Sequence, residues 1–402
     1  MNQQLSHESL KSLADQYGSP LYVYYADSIK QQYEKLTHAF RDCNAKMFYA
    51  CKSLTNINVL RYIHGLGASL DCVSINEVKL GLMAGFSKEN ILYTPNCVDF
   101  EEILNAKELG VNINIDNISI LEQFGNKFGS SYPICIRLNP HILAGGNYKI
   151  STGHIDSKFG ISIHQLRHIE RIVKATGLHV EGIHMHTGSE IKDINVFLEG
   201  LDVMFNMATH FPELKYIDLG SGFKVPYQPG DKETDVNLLG EKVAEAFKVF
   251  EAETGKHLEV WFEPGKYLVS QCGYLIVKAN VIKQTTSAVF VGVDSGFNHL
   301  IRPMMYDAYH HIENVSNSNG TSRIYTIVGN ICETDTFAWD RALPEVREGD
   351  FLVFYNAGAY GFEMSSNFNS RLKPAEILIE NGDARIIRRR EVFEDLLRGQ
   401  EI

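Results

Sequence analysis

The segment "KMFYACKSLTN" (residues 46–56) opens the series of short apolar runs that decides the fold of this chain. Its apolar and aromatic residues predict a buried strand, which ends where Lys52 begins a polar stretch. Seven further runs of this kind follow, and a stretch with the pattern of a helix comes after each. They are "ASLDCVS" from residue 68, "ILYTP" from 91, "VNINIDN" from 111, "YPICIRLNP" from 132, "VEGIHMHTGS" from 180, "YIDLGSG" from 216 and "VWFEPG" from 260.

This repeated order of strand and helix predicts the fold class. The early strands recur at intervals of little more than twenty residues, the length of one strand and one short helix. Eight successive βα units favour a closed (β/α)8 barrel of the TIM type within the α/β class. An open doubly wound sheet stays possible, because the number of strands alone does not force the sheet to close.

The pattern changes near residue 270, where the long helical stretches end. The later runs alternate or are continuously apolar, which predicts a C-terminal antiparallel β domain. They begin at residues 274, 288, 323, 349 and 375. We therefore predict a barrel domain over residues 26–270 and a β domain over residues 271–402. The N-terminal strand "LYVYYA" (21–26) fits either domain, and we assign the segment 1–25 to the β domain.

The composition indicates an enzyme of small molecules. The chain has 402 residues, enough for two domains, and a formal net charge of -11 at pH 7. Nucleic acids and anionic membranes select basic surfaces, so we expect neither as a partner. The start, "MNQQLSHESL", lacks a basic region before an apolar core, and no apolar run approaches the ~20 residues of a membrane span. Seven cysteines without a CxxC pair fit neither a disulfide framework nor a metal site, which favours a cytoplasmic protein.

Residues suited to chemistry cluster at the predicted C-terminal ends of the barrel strands, where barrels of this type carry their active sites. They are Lys52, Asp71, Ser74, Asn96, Asp116, Asn117, Arg137, Asn139, His184, His186, Ser189, the turn 220–222 and residues 263–266. Taken singly, Lys52 is more readily explained as an exposed lysine, and an Asp or Asn as a helix cap. The joint pattern predicts an active site around Lys52.

Two of these strand ends look suited to a phosphate. "HTGS" (186–189) and "DLGSG" (218–222) offer small residues and backbone N–H groups, and we predict that each leads directly into a helix N-terminus. Neither a GxxxxGK[ST] motif nor a GxGxxG motif at the start of the chain is present. A phosphate site, a lysine, an imidazole and a carboxylate together indicate pyridoxal 5′-phosphate. Lys52 would attach to its aldehyde, Glu263 would keep its ring nitrogen protonated, and His186 would lie flat against its ring.

Seven segments carry a resemblance to a known family. They are "FYACKSLTN" (48–56), "HMHTGSE" (184–190), "DLGSGF" (218–223), "WFEPGK" (261–266), "GNICETDTF" (329–337), "YNAGAYGFEMSSNFNSR" (355–371) and "PAEILI" (374–379). In this order they resemble the signature segments of the alanine-racemase-like, fold-type III decarboxylases, and within these the diaminopimelate decarboxylases. The segment "ISTGHIDSKFG" (150–160) resembles the family's insertion after the fifth strand. The resemblance implies pyridoxal phosphate as cofactor and decarboxylation of meso-2,6-diaminopimelate to L-lysine.

The resemblance also implies the roles of individual residues. Lys52 and Cys332 would be catalytic, with the Cys332 thiol donating the proton that replaces the lost carboxylate. The cofactor would contact Lys52, His186, Ser189, Gly220, Ser221, Gly222, Glu263, Gly265, Lys266 and Tyr360. The substrate would contact Lys266, Arg302, Tyr306, Glu333 and Tyr360. In this scheme Arg302 and Tyr306 recognise the distal carboxylate, and Glu333 meets the distal ammonium.

The sequence departs from the family pattern at two of these positions. The family usually has EPGR after the eighth strand, whereas this chain has "EPGK" with Lys266. A lysine offers a point charge where arginine offers a planar fork, so the details of substrate or phosphate binding are in doubt. Ser221 stands where relatives often have glycine, and its hydroxyl is a candidate phosphate contact.

Two other functions stay open at this point. One is decarboxylation of another basic amino acid or of carboxynorspermidine by the same fold, and Arg302 with Tyr306 argues against it. The other is a non-catalytic cofactor-binding homologue, which would be expected to lack Lys52 or Cys332. The resemblance further implies a homodimer in which each active site takes Lys52 from one subunit and Cys332 from the other.

Overall fold

The structure is a computed structural model that describes residues 5–142, 153 and 157–401. Much of the segment 150–160, which resembles the family's insertion, lies outside the described residues. The chain divides into two compact units. The first, here called the barrel unit, comprises Gln32–Val225 and Lys232–Tyr267. The second, the sheet unit, comprises Met1–Gln31, Pro226–Asp231 and Leu268–Ile402.

The barrel unit contains a closed ring of eight parallel strands, as the sequence predicts. The ring strands are β2 (Ala45–Ala50), β3 (Ser69–Cys72), β4 (Ile91–Tyr93), β5 (Asn112–Ile115), β6 (Ile134–Asn139), β8 (Val180–His184), β9 (Tyr216–Asp218) and β10 (Glu259–Phe262). Parallel pairing of β10 with β2, with Val260 beside Ala45, closes the ring. The open doubly wound sheet is therefore excluded. One short strand that the sequence analysis missed, β7 (Ile161–Ser162), pairs with β6 outside the ring.

The helices alternate with the barrel strands. They are α2 (Ala26–Ala39), α3 (Ile57–Gly65), α4 (Ile75–Ala84), α5 (Phe100–Leu109), α6 (Ile118–Phe128), α7 (Leu166–Thr176), α8 (Ile194–Ala208), α9 (Val236–Thr254) and α10 (Lys266–Val269). Two of the strand-end residues turn out to cap helices: Ser74 accepts a hydrogen bond from the backbone N–H of Glu77, and Asn117 from that of Ile120. Their side chains therefore have a structural role.

Large side chains from alternate strands fill the middle of the barrel. Phe48, Leu92, Cys135 and Tyr216 come from the first, third, fifth and seventh ring strands and form one buried cluster with Trp261. The rings of Tyr216 and Trp261 stack with their centroids 3.5 Å apart. A closely packed layer of this kind makes the barrel a solid core, so the ligand-binding residues are restricted to its ends.

The sheet unit is built around a mostly antiparallel sheet. Its strands are β1 (Leu21–Tyr25), β11 (Gly273–Gln284), β12 (Val289–Val293), β13 (Ile312–Asn314), β14 (Ser322–Val328), β15 (Thr336–Pro344), β16 (Phe351–Phe354), β17 (Ala375–Glu380) and β18 (Asp383–Arg388). β1 lies between β11 and β17. The sequence did not predict β13 and β15, nor that β1 pairs with β17, and β12 with β14, in parallel.

Three further helices belong to the sheet unit. They are α1 (His7–Tyr17), α11 (Arg302–Tyr306) and α12 (Phe393–Leu396). Leu10, Leu13 and Ala14 of α1 pack into a buried cluster with β1, β11, β16 and β17. Among the described residues, no helix combines the length and the apolar character that crossing a membrane requires.

Candidate active site

Lys52 lies where the first barrel strand ends. A single 3-10 turn, Cys51–Ser53, follows β2 and turns the side chain toward the end of the neighbouring strand β3. There the Lys52 Nζ contacts Asp71 Oδ2 at 2.8 Å, with the lysine side chain 40% exposed and the aspartate fully buried. Burial and the nearby Glu263 raise the pKa of Asp71, and the Lys52 ammonium opposes that shift. The contact holds an accessible amine at the C-terminal ends of the strands.

Gly265 explains why the loop after the eighth strand can approach Lys52. The backbone N–H of Ala50 donates to the Pro264 carbonyl at 3.2 Å, which joins the two strand ends. A Cβ atom at Gly265 would lie 2.1 Å from Ser53 Oγ. Only glycine leaves room for the residue beside Lys52 at this point.

Glu263 provides a buried carboxylate in the same end of the barrel. Its Oε2 lies 3.3 Å from His184 Nε2. Its Oε1 is buried and has no hydrogen-bond partner among the described residues. Burial alone would raise the pKa of Glu263, but the contact with His184 and the charge of the Lys52 ammonium outweigh burial and hold that pKa well below its usual range. The site therefore contains an ionised carboxylate with one oxygen left for a ligand.

His186 and the glycine turn 220–222 form one continuous surface. The backbone N–H of Ser221 donates to His186 Nδ1 at 3.3 Å. A Cβ atom at Gly220 would lie 2.7 Å from the same nitrogen, and one at Gly222 would lie 2.3 Å from the Gly188 carbonyl oxygen. Burial and the charge of Arg137 lower the pKa of His186 to about 3, so the imidazole is neutral. A neutral ring packed against a turn of small residues suits a flat ligand.

The predicted helices behind these two turns begin later than expected. The sequence analysis placed a helix N-terminus directly after Ser189 and after Gly222, but α8 begins at Ile194 and α9 at Val236. Residues 190–193 and 223–235 intervene, so neither helix dipole acts directly on its turn. An anion at these turns would therefore be bound by backbone N–H groups and small side chains, including the half-buried Ser189.

Lys266 takes part in an ion-pair cluster that the sequence analysis did not anticipate. Its Nζ lies 2.8 Å from Glu190 Oε1, and Glu190 Oε2 lies 4.0 Å from Lys224 Nζ. Both lysine side chains are about nine-tenths buried. The lysine of EPGK thus has a local carboxylate partner. In the sequence, the position of Lys224 directly after the glycine turn, in "GSGFK" (220–224), could have indicated that it lies near the site.

In the sheet unit, Arg302 is held in a fixed orientation. It starts α11 and is 4% exposed, and its guanidinium carbon lies 4.9 Å from the centre of the Tyr227 ring. His310 Nδ1 lies 2.9 Å from the Tyr355 carbonyl and therefore carries the proton, so Nε2 accepts from Arg302 at 3.1 Å. Burial and Arg302 lower the pKa of His310 to about 3. Arg302 Nε is buried without a partner among the described residues.

Tyr306 and Tyr360 belong to the same neighbourhood as Arg302. Tyr306 ends α11, about one helical turn beyond Arg302. Burial raises the pKa of Tyr306, Arg302 lowers it, and Tyr360 raises it further. Tyr360 has a positive φ of 57°, a backbone conformation that is uncommon for a bulky residue. The structure thus brings together these three predicted substrate residues.

Cys332 and Glu333 lie in the exposed loop between β14 and β15. The backbone N–H of Cys332 donates to Asn369 Oδ1 at 2.9 Å, and Asn369 Nδ2 donates to Cys332 Sγ at 3.2 Å. One amide therefore fixes both the backbone and the thiol. Asn369 has a positive φ of 56° and had no distinguishing signal in the sequence beyond its place in "SNFNSR".

Comparisons with known proteins show the family of this chain. Residues 26–270 match the family described as pyridoxal-dependent decarboxylase, pyridoxal binding domain. The chain is 39% identical to the diaminopimelate decarboxylase of Methanothermobacter thermautotrophicus over 97% of this chain and 93% of that protein. A crystal structure of a diaminopimelate decarboxylase superposes with a TM-score of 0.91 at 33% identity, covering 99% of this chain and 97% of the other. The Helicobacter pylori enzyme complexed with L-lysine gives 0.89 at 30% identity, with 97% and 98% covered. The chain therefore belongs to the pyridoxal-dependent decarboxylases and, within them, to the diaminopimelate decarboxylase family.

Proposed function

We infer that the chain decarboxylates meso-2,6-diaminopimelate to L-lysine and carbon dioxide with pyridoxal 5′-phosphate as cofactor. One observation carries this function: Lys52, which is paired with the buried Asp71, lies near the ionised Glu263 at the C-terminal ends of the barrel strands. Family membership supplies the reaction class. The L-lysine in the Helicobacter pylori relative is the product that this reaction forms.

The residues of the barrel unit fit this cofactor. Glu263 Oε1 is an orphaned buried acceptor of the kind that a protonated ring nitrogen would satisfy. The neutral His186 offers a flat face, and Gly220, Ser221 and Gly222 form a turn that any Cβ at the two glycines would obstruct. Lys52 would hold the cofactor covalently. We assign its remaining contacts to Ser189, Gly265, Lys266 and Tyr360.

The cofactor, when bound, supplies an electron sink that accepts the electron pair left by carbon dioxide. The chain's own residues orient the substrate and handle protons. The ionised Glu263 keeps the sink effective by favouring the protonated ring nitrogen. The Cys332 thiol donates the proton to the carbon that lost its carboxylate, and Asn369 fixes the direction of that thiol.

We assign recognition of the distal end of the substrate to the sheet unit. That end carries a carboxylate and an ammonium. Arg302 has an orphaned Nε and a guanidinium already oriented by His310 and Tyr227, so a carboxylate can bind without further ordering of the side chain. Glu333 would meet the ammonium, and Tyr306, Tyr360 and Lys266 would complete the pocket.

We propose that the division of labour follows the chain. Residues 26–270 would bind the cofactor, and residues 271–402, joined by the N-terminal segment 1–25, would carry the proton donor and the specificity residues.

We further propose a homodimer with shared active sites. The exposure of Cys332 and Glu333 at the surface of one chain supports a complementary partner surface.

We place the enzyme in the cytoplasm. All seven cysteines are free, and four of them, Cys51, Cys72, Cys135 and Cys272, are buried. Buried thiols that serve as packing groups, together with the exposed thiols of Cys97 and Cys332, suit a reducing compartment.

Purified protein supplied with pyridoxal phosphate should release carbon dioxide from meso-diaminopimelate. Lysine, ornithine, arginine and carboxynorspermidine should be poor substrates, because none presents the same distal pair of carboxylate and ammonium. Steady-state rates for the five compounds separate the proposed activity from that of related decarboxylases. A higher kcat/KM for any of the other four would contradict the proposed substrate.

Arg302→Ala should lower kcat/KM for diaminopimelate by about a hundredfold or more, because the distal carboxylate would lose its charged partner. The residual rate with lysine, which lacks that carboxylate, should change little. Arg323→Ala is a matched control, since Arg323 belongs to the same unit but its side chain is 61% exposed. An equal loss for both substrates would show that Arg302 acts only in stabilising the fold.

A further inference from the structure

Behind Glu263, two buried polar side chains form a line that leads away from the proposed cofactor site. Asn114 on β5 is 1% exposed, and His184 at the end of β8 is completely buried. Asn114 Nδ2 lies 2.9 Å from His184 Nδ1, and His184 Nε2 lies 3.3 Å from Glu263 Oε2. The order Asn114, His184, Glu263 therefore connects the amide to one oxygen of the carboxylate.

The first contact determines which ring nitrogen of His184 carries the proton. The amide Nδ2 of Asn114 can only donate, so His184 Nδ1 accepts and the proton of the neutral ring lies on Nε2. Nε2 lies 3.3 Å from Glu263 Oε2 and has no well-aligned hydrogen bond to any of the described residues, so this carboxylate is the acceptor within its reach. A reversed amide would take a proton from Nδ1, and the ring would then need a full positive charge to keep an N–H toward Glu263.

The neighbouring titratable groups leave Glu263 as the anion of this cluster. Asp218 is completely buried, and its Oδ1 accepts from the Gly220 N–H at 2.8 Å. Burial and the charge of Glu263 raise the pKa of Asp218 well above its usual range, so Asp218 gives up its proton less readily than Glu263 does. Asp71 also faces Glu263, but it is paired with Lys52.

These side chains also contain the donor types of a metal site. One polar atom each of His184, Asp218 and Glu263 lies within 4.8 Å of the other two. Metal binding requires a ring nitrogen without a proton, however, and the donation from Asn114 leaves that role to Nδ1, on the side away from Glu263. The Asn114 contact therefore favours a hydrogen-bonded chain over a metal centre.

We propose that Asn114 and His184 are positioning residues for Glu263: the amide fixes the Nε2–H form of His184, and this proton holds Oε2 and leaves Oε1 for the ring nitrogen of the cofactor. The inference rests on the proposed pairing of Glu263 with that nitrogen. Loss of the His184 donor would leave a buried carboxylate with fewer hydrogen bonds, so the shared proton would move from the ring nitrogen toward Glu263.

The test observes the ring nitrogen itself, in holoenzyme reconstituted with pyridoxal phosphate carrying ¹⁵N in the ring. Glu263→Gln, which removes the anion, should move the ¹⁵N signal from the pyridinium to the neutral pyridine range. His184→Leu should move it in the same direction and lower kcat/KM about tenfold to a hundredfold, a usual loss when a supporting hydrogen bond is removed. His184→Gln keeps an N–H donor and should restore the pyridinium signal.

His299→Leu is the matched control. His299 is 3% exposed and contacts Ser295 and the Leu372 carbonyl in the sheet unit, so its loss removes a buried imidazole without touching Glu263. Its ¹⁵N signal should equal that of the wild type. A signal that moves in Glu263→Gln but not in His184→Leu overturns the positioning role and leaves the proposed function intact. A signal that stays in the pyridinium range in Glu263→Gln overturns the pairing of Glu263 with the ring nitrogen.

A measurement on the wild-type protein observes the ring protons of His184 directly and uses a variant only to assign the signals. Spectra of ¹⁵N-labelled histidine rings, assigned to His184 by the signals missing in His184→Gln, should show a proton on Nε2 and none on Nδ1 at pH 7. A proton on Nδ1 contradicts the inference.

Discussion

Lys52→Ala should lower turnover by about 10³-fold or more and should abolish the visible absorbance of the lysine-linked cofactor. The reason is the position of the amine. Lys52 follows β2 and forms an ion pair with the buried carboxylate of Asp71. Among the described residues, no other lysine forms an ion pair with Asp71. The measurement is the absorbance spectrum of the reconstituted variant, together with carbon dioxide release from diaminopimelate.

The Lys52→Arg variant separates chemistry from folding. Arginine keeps a positive charge beside Asp71, so the buried carboxylate stays paired, but its guanidinium is too weak a nucleophile to link to the cofactor. We expect it to fold like the wild type and to be as inactive as Lys52→Ala. Borohydride reduction of the wild-type holoenzyme should fix the cofactor to a single peptide containing Lys52. A reduced link on another lysine, in either variant or in the wild type, would sink this assignment.

The sequence predicted the barrel well because its signal is repeated. Eight buried parallel strands each read as an apolar run followed by a helix, and every one of these strands is present in the ring. The strand β7 was missed because two residues, Ile161–Ser162, carry no periodicity. In the sheet unit, β15 was missed because polar residues such as Asp340 and Arg341 interrupt its apolar positions, and Asp340 has a positive φ of 49°.

The site was predictable only where a motif marks it. Lys52, Glu263 and Cys332 stand in recognisable segments, whereas Asn114 lies inside an ordinary strand and has no local signal. Its contact with His184 depends on β5 and β8 lying on either side of β6 in the ring, although the two residues are 70 positions apart in the sequence. Arg302 and Glu190 also have partners that no sequence motif indicates. Only the interatomic distances in the structure identify His310 as the partner of Arg302 and Lys266 as the partner of Glu190. Sequence patterns indicate which residues serve a site, and the fold decides what holds them in place.

Subunit mixing should show whether the two halves of the site come from different chains. Lys52→Ala and Cys332→Ala are each expected to be inactive, since one lacks the cofactor link and the other the proton donor. If each site takes Lys52 from one chain and Cys332 from its partner, a heterodimer of the two variants has one site with both defects and one with neither. Random exchange of equal amounts makes half of the dimers heterodimers, so about a quarter of wild-type activity should return.

The opposite arrangement gives a result that differs in kind. If Lys52 and Cys332 of the same chain form a site, every site in the mixture keeps one defect, and no activity returns at any ratio of the two variants. Mass-tagged subunits should first establish that heterodimers form, because without subunit exchange neither arrangement would give any recovered activity. Cys97→Ala is the control for loss of an exposed thiol, because Cys97 lies in the barrel unit, in the loop after β4. When this variant is mixed with Lys52→Ala, the Cys97→Ala homodimers and one site in each heterodimer should be active. With exchange confirmed, absence of recovered activity in the Lys52→Ala and Cys332→Ala mixture would refute the shared site, because one intact site per heterodimer is an arithmetic consequence of it.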